Sequence, residues 1–331
     1  MPGIVLRKGG LAIALLVLVA IGAAVSPTFL QVNNLQNILI SISTIGVLAL
    51  GQTLVMLVRQ VDLSVGSLMA FGPIAAISMA TAILAIGEVP VIEGGNYVTN
   101  GMTLIVLLTL AVSTIVGLLN GLLTVKASVP SLIVTLGMLY MLRGAAYLLS
   151  GGHPLYLTRL EGYSWLGTAE LFGTLPLSFV VFLVLGIVSV LVLKYTRVGT
   201  RIYSTGNNER AAVFSGVNAD FWKIAAFGFS GFCAGLAALI YTSRLESVEA
   251  AQSAGYELVS IAIVVIGGTT LQGGRGSMAG TILAAVILGI VINILSLLGM
   301  VVWYQTIIVG FVIIAAVFVY VRRSTPSRRL S

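Results

Sequence analysis

Residues 9–58 read GGLAIALLVLVAIGAAVSPTFLQVNNLQNILISISTIGVLALGQTLVMLV, a stretch with no charged side chain between Lys8 and Arg59. A bilayer core about 30 Å thick is crossed by about 20 apolar residues in a helix. The stretch therefore holds two crossings, interrupted at Pro27 and Asn33-Asn34, where turn-forming residues break the apolar pattern. A second long uncharged run lies between Arg275 and Arg322, and shorter ones cover 63–87, 94–125, 171–193, 224–243 and 258–274. Hydrophobic residues make up 58% of the chain and charged residues 8%, with a mean hydropathy of +1.11. A soluble domain cannot hide that much apolar surface. The sequence predicts an all-α polytopic membrane protein forming a single domain over 1–331.

Ten spans are expected, near 9–26, 38–58, 64–86, 102–125, 129–150, 176–195, 222–243, 257–272, 278–298 and 301–321. An even number puts both termini on one side, and the charges say which. With the N and C termini cytoplasmic, 14 of the 17 basic residues face inward: Arg7, Lys8, Arg59, Lys126, Lys194, Arg197, Arg201, Arg210, Lys223, Arg275, Arg322, Arg323, Arg328 and Arg329. Arg143, Arg159 and Arg244 fall in the outer half. Cytoplasmic loops carry the Lys/Arg excess in helical membrane proteins. Among the acids, Glu88, Glu93, Glu161, Glu170, Glu246, Glu249 and Glu257 are placed outside. The net charge of +7 then reflects loops beside anionic lipid and not nucleic-acid binding. Arg7-Lys8 ahead of an apolar run have the look of a secretory leader. The uncharged run continues well past any cleavage point, however, so the first span is read as retained.

Little in the chain points to covalent chemistry. The single cysteine, Cys233, sits mid-span and has no intrachain disulfide partner. The lone His153 stands beside Pro154 in an outer loop, without acidic or cysteine neighbours, and reads as a loop residue rather than a metal ligand. Gly273-Gly274-Arg275-Gly276-Ser277 lacks the lysine of a phosphate-binding loop and reads as a tight inner turn. No ATP-hydrolysing motif, nucleophile triad or metal cluster is visible, so no cofactor is expected on this chain.

Polar residues inside or beside spans are the site candidates, because ionisable groups in the membrane mark partners or water-filled paths. Asp62 opens D-L-S-V-G-S (Asp62 to Ser67), which reads as a broken segment between two helices. Two roles stand side by side: Asp62 and Ser64 at a half-helix end facing a polar ligand, or Asp62 as the cap of the third helix. Arg143 either snorkels outward or lines a path. Gln52, Asn120 and Asn293 are read as interhelical hydrogen-bonding groups, with substrate contact as the alternative. Glycines at four-residue spacing, such as Gly117 with Gly121, argue for close helix packing.

The inner segment 194–223 is the largest cytoplasmic loop; the outer loops are 87–101 and 151–175. Within it, Gly206-Asn207-Asn208 precedes Ala211, Ala212 and Phe214, and Gly216 follows. Asn207 or Asn208 can cap a helix of about two turns that Gly216 ends. Such a short helix is marginal alone. It is either a linker lying on the surface or an element that inserts Ala211, Ala212 and Phe214 into a partner.

Several patterns spread along the chain resemble the permeases of ribose-type (monosaccharide) ABC importers, in the branched-chain amino acid/sugar permease superfamily. They are Val32-Asn33-Asn34-Leu35, Gly51-Gln52-Thr53-Leu54-Val55 leading to D-L-S-V-G-S, Asn120-Gly121, Thr135-Leu136-Gly137-Met138 with Arg143-Gly144, Thr196-Arg197-Val198-Gly199 leading to Gly206-Asn207 through Gly216-Val217, and Val265-Ile266-Gly267-Gly268-Thr269 followed by Gly273-Gly274-Arg275-Gly276. One departure is local: the family usually has two glycines and an isoleucine before the aspartate, whereas this chain has Arg59-Gln60-Val61. The resemblance implies a type II-like importer fold in the bacterial inner membrane, with a second permease copy, identical or not, completing a path for a pentose- or hexose-like sugar. It further implies two ATPase subunits, or one fused, which carry ATP and Mg, and a periplasmic sugar-binding protein. The helix at 207–216 would be the coupling helix. A self-powered secondary transporter is the alternative function, but no internal repeat is visible and buried acids are few. A membrane-embedded enzyme would need clustered reactive groups that the chain lacks.

Overall fold

The computed structural model describes residues 2–84, 92–93, 96–97, 101–158, 160, 162–311 and 314, with side-chain environments from Ile13 onward. Lipid leaves backbone polar groups nothing to bond to but each other, so apolar stretches of this length close into helices. They are α1 (Pro2–Val25), α2 (Val32–Leu57), α3 (Val65–Leu84), α4 (Met102–Lys126), α5 (Ser131–Ser150), a single turn α6 (Trp165–Thr168), α7 (Leu177–Tyr195), α8 (Arg197–Asn207), α9 (Glu209–Phe214), α10 (Ala219–Leu245), α11 (Tyr256–Ile266) and α12 (Met278–Leu297). A further apolar helix, α13, covers Val302–Phe311. Among the described residues, seven helices are long and apolar enough to cross a membrane: α2, α3, α4, α5, α7, α10 and α12. The chain is thus an all-helical, multi-pass membrane protein.

The centre of the bundle is α2, 78% buried over its most apolar window, with α10 at 67%; α5 and α7 are only 22% buried and form the periphery. Phe182, Phe227, Met56 and Leu48 lie in the core around α2. Close helix approach comes from glycine. On α4, a Cβ at Gly117 would run into the carbonyl of Phe227 and come within 3.0 Å of the Cα of Gly231 on α10.

The connections sort to two ends. Strands β1 (Ile92–Glu93), β2 (Asn96–Tyr97), β3 (Leu155–Tyr156) and β6 (Ser247–Val248) share one small sheet, so the segments after α3, α5 and α10 meet at one end. Strands β4 (Glu170–Leu171) and β5 (Leu175–Pro176) pair separately ahead of α7. At the other end the Gly274 N–H donates to the Leu57 carbonyl at 2.9 Å, and Lys126 meets Asp220 at 3.5 Å. These connections thus group at two ends of the bundle.

Three expectations need revision. The expected span 257–272 stops as a helix at Ile266: Gly268 turns left-handed at φ 95°, and the N–H of Thr269 returns to the Val264 carbonyl, a glycine-terminated end. Eleven helical residues rise roughly 16 Å, so an irregular loop carries the chain on to Leu57. The second helix begins at Val32 rather than 38, because Asn33 and Asn34 are inside its first turn. The single short helix expected at 207–216 is the second of a pair, α8 and α9. The basic residues Arg322, Arg323, Arg328 and Arg329, the end of the tenth expected span, and Glu88, Arg159 and Glu161 lie outside the described residues, as do the side chains of Arg7, Lys8 and Glu93.

Candidate functional site

Four of the six polar candidates converge at the break between α2 and α3. The chain leaves α2 through Arg59, in the left-handed region at φ 64°, with the N–H of Arg59 bonded to Met56 O and that of Gln60 to Val55 O. It then turns back into the bundle. Asp62 is fully buried. Its Oδ1 accepts from the N–H of Ser64 at 3.0 Å and from Ser64 Oγ at 2.7 Å, the local side-chain turn that Asp favours. Its Oδ2 accepts from Ser230 Oγ on α10 at 2.9 Å. Asn120 on α4 donates Nδ2 to Ser64 Oγ at 2.8 Å. With its amide turned so that each atom meets its complement, Gln52 donates to the Asp62 carbonyl at 3.1 Å and accepts from the Asp62 N–H at 3.3 Å.

The depth of this cluster follows from helix rise. Gln52 lies five residues before Leu57, roughly 8 Å into the bundle, and Ser230 lies 11 past Ala219, roughly 16 Å. No cation pairs with Asp62 among the described residues; three hydroxyl and amide donors hold its carboxyl instead. A buried polar group held this way is satisfied, and losing one partner leaves it exposed to the full desolvation cost. The sequence reading missed Ser230, one serine among many on an otherwise apolar helix. It also missed the partner of this break on the far side. Ser253 Oγ donates to the Gly66 carbonyl at 2.7 Å, and the Glu257 carboxylate lies against Gly66 with no room for a Cβ. Glu257, placed outside from its sequence position, is buried at 9% exposure where the N-termini of α3 and α11 meet. The positive ends of both helices favour an acid there.

The remaining candidates lie elsewhere. Asn293 on α12 and Asn34 on α2 exchange two amide hydrogen bonds, at 2.8 and 3.1 Å. Arg143 on α5 is half-buried, and its Nε has no hydrogen-bond partner among the described residues. Next to it, Gly144 and, two turns earlier, Gly137 face open space. On the sheet end, Tyr163 Oη and Thr242 Oγ1 lie 2.7 Å apart, and burial pushes the Tyr163 phenol up to about 12, the hydrogen bond to Thr242 partly opposing it.

At the opposite end, α8 and α9 form a knuckle. Thr196 caps α8 by accepting from the N–H of Val198 at 3.2 Å, and Asn208 caps α9 by accepting from that of Ala211 at 3.1 Å. Gly206 packs on the Leu57 carbonyl with Gly274 N at 2.6 Å from its missing Cβ. Glu209 binds Lys223 of α10 at 2.6 Å. One face of α9 is buried through Ala212, while Val213 is 54% and Phe214 91% exposed. Ala212 is therefore a contact within the chain, and Ala211 and Phe214 are the outward pair. Arg59, Asn207, Asn208, Glu209, Arg210, Val213 and Phe214 line an open groove of about 800 Å³. No group of three potential metal ligands occurs among the described residues.

Sequence comparison with known proteins identifies the family. The profile of the branched-chain amino acid transport system / permease component family matches residues 34–317. The ribose import permease protein RbsC of Escherichia coli K12 is 36% identical over 311 residues, covering 93% of this chain and 91% of its own. The RbsC of Bacillus subtilis 168 is 32% identical over 97% of this chain and 94% of its own. The L-arabinose ABC transporter permease protein AraH of Azospirillum brasilense is 31% identical, covering 94% and 87%. No solved structure matches the chain at a significant level. The match to the family profile across most of the helical bundle makes this chain a member of the branched-chain amino acid transport system / permease component family.

Proposed function

We propose that this chain is the membrane permease subunit of an ATP-driven importer of a monosaccharide. The observation that carries the reading is likeness along nearly the whole chain to import permeases named for ribose and L-arabinose. The knuckle of α8 and α9 supports the source of energy: it presents Phe214 outward while its backbone rests on the end of α2. The chain weaves through the inner membrane ten times, with α1, α13 and the α11 segment supplying the crossings beyond the seven long helices. Both termini and the knuckle face the cytoplasm, where the Lys/Arg excess of 194–223 supports them.

ATP and Mg belong to partner subunits, two ATPases or one fused, that seat on α9. A second permease copy completes the path, and a periplasmic protein delivers a pentose- or hexose-like sugar to the sheet end. Arg143, with an unmet N–H on a thinly covered helix, faces that path. Asp62, Ser64, Gln52 and Asn120 hold the inner wall in shape, and Asn293 with Asn34 joins α12 to α2. The test is uptake of radiolabelled pentoses and hexoses into proteoliposomes. Uptake is expected only with the ATPase subunits, ATP and the binding protein present. Accumulation driven by the permease chain alone would overturn the proposal in favour of a secondary transporter.

A further inference from the structure

Arg59 occupies a position that its own backbone argues against. It is the first residue past the cap of α2, where the paired bonds to Met56 and Val55 demand a left-handed residue, and its φ is 64°. That conformation is normally filled by glycine, because a Cβ crowds the neighbouring carbonyl. Nothing inside the bundle asks for a long side chain here, since Arg59 is exposed. Its side chain instead lines the groove beneath α9 together with Arg210 and Phe214.

The charges of the groove do not cancel. Its one acid, Glu209, is taken by Lys223, and neither Arg59 nor Arg210 has an ion pair among the described residues. A strained residue kept against its backbone preference points to function. A guanidinium is built to take a carboxylate through two parallel hydrogen bonds. Exposed arginine beside an exposed aromatic ring is the composition that anchors protein interfaces, which favours a protein surface over a lipid headgroup as the occupant.

We propose that Arg59, with Arg210, forms a carboxylate-binding pair that seats an acidic side chain of the cytoplasmic ATPase subunit alongside Phe214. The inference rests on the importer reading above and adds to it a charge contact specific to this chain. Arg59 thereby tunes how fast and how selectively the ATPase docks, while Phe214 supplies the apolar anchor.

The experiment uses permease in nanodiscs and the ATPase subunit recovered with it from native membranes, with binding measured at 50 and 500 mM NaCl. Glycine suits the backbone at position 59, so Arg59→Gly puts no fold at risk. The variant is expected to bind about three- to tenfold more weakly at low salt and to converge with the parent at high salt, as screened charge contacts do. Equal binding of Arg59→Gly and the parent at both salts, with Phe214→Asp abolishing binding, overturns the role of Arg59 and leaves the importer reading standing. A deficit that vanishes when anionic lipid is left out of the nanodisc assigns Arg59 to the bilayer and also overturns it. Binding unchanged in both variants removes the docking surface altogether.

Discussion

Ser230, near the middle of α10, donates a hydrogen bond from its hydroxyl to Oδ2 of Asp62 at 2.9 Å. This bond joins the break after α2 to the longest helix of the bundle. Asp62 reaches that depth only because the chain reverses at Arg59, and its other oxygen is bound by Ser64. Ser230→Ala leaves one carboxyl oxygen without a donor in a buried site and is expected to cost about 1–3 kcal/mol, read as a lower melting temperature in detergent. Asp62→Asn lowers sugar uptake as well as stability. A double-mutant cycle showing no coupling between the two positions would remove the bond from the account.

Phe214→Asp and Ala211→Arg alter the outward side of α9. Both are expected to insert and fold normally while losing uptake at least about 30-fold, the effect of removing an aromatic anchor worth about 2 kcal/mol or more. Residual ATP hydrolysis that no longer responds to the binding protein is the signature. Ala212→Arg is different: it forces a charge into the buried face of α9 and is expected to reduce the amount of folded protein. Normal uptake by Phe214→Asp would place docking elsewhere.

Gly117→Leu drives a side chain into the backbone of α10 at Phe227 and Gly231. Overpacking of this kind costs about 1–3 kcal/mol or more when backbone is the obstacle, and the folded yield should fall. Gly137 has no atom within 4 Å of its missing Cβ, so Gly137→Leu leaves the fold of the chain intact. Equal yields from the two variants would contradict the α4–α10 packing.

Breaking the amide pair with Asn293→Ala is expected to cost roughly 0.6–2 kcal/mol, the range for hydrogen bonds between membrane helices. Asn34→Ala should cost more, since its Nδ2 also donates to the Phe29 carbonyl at 2.8 Å, and the double variant little more than Asn34→Ala alone. Thermal scans of the three proteins give the comparison.

Sidedness can be tested without removing the native cysteine, since Cys233 is buried and silent to aqueous reagents. Arg201→Cys on α8 is expected to label only from the cytoplasmic face, and His153→Cys only from the periplasmic face. The reverse pattern would invert the whole arrangement.

Much of this was legible in the sequence, and for a physical reason. Lipid imposes one rule on every residue of a span, so the uncharged runs located α3, α4, α5, α7, α10 and α12 to within a few residues. Punctuation by Gly216 and Asn208 was readable because capping is local. The convergence of Gln52, Asp62, Ser64 and Asn120 was foreshadowed by their polarity, but Ser230 was not, since a serine in an apolar helix carries no mark of its partner. The burial of Glu257 against Gly66 was not legible, because counting charges assigns a residue to a side of the membrane and says nothing of its contacts. Helix α8 escaped because its pattern, Arg197 to Asn207, is polar and its caps are shared with its neighbours.

Where Gly206, Leu57 and Gly274 meet, main chain lies directly on main chain. Side chains yield to a push by changing rotamer; peptide groups have no such give. The knuckle therefore meets the foot of the central helix through peptide groups rather than pliable side chains, and the reversal at Arg59 connects that foot to Asp62. With ATPase subunits seated on α9 as proposed, the joint would link the cytoplasmic surface to the buried polar cluster without any contact between that surface and a substrate.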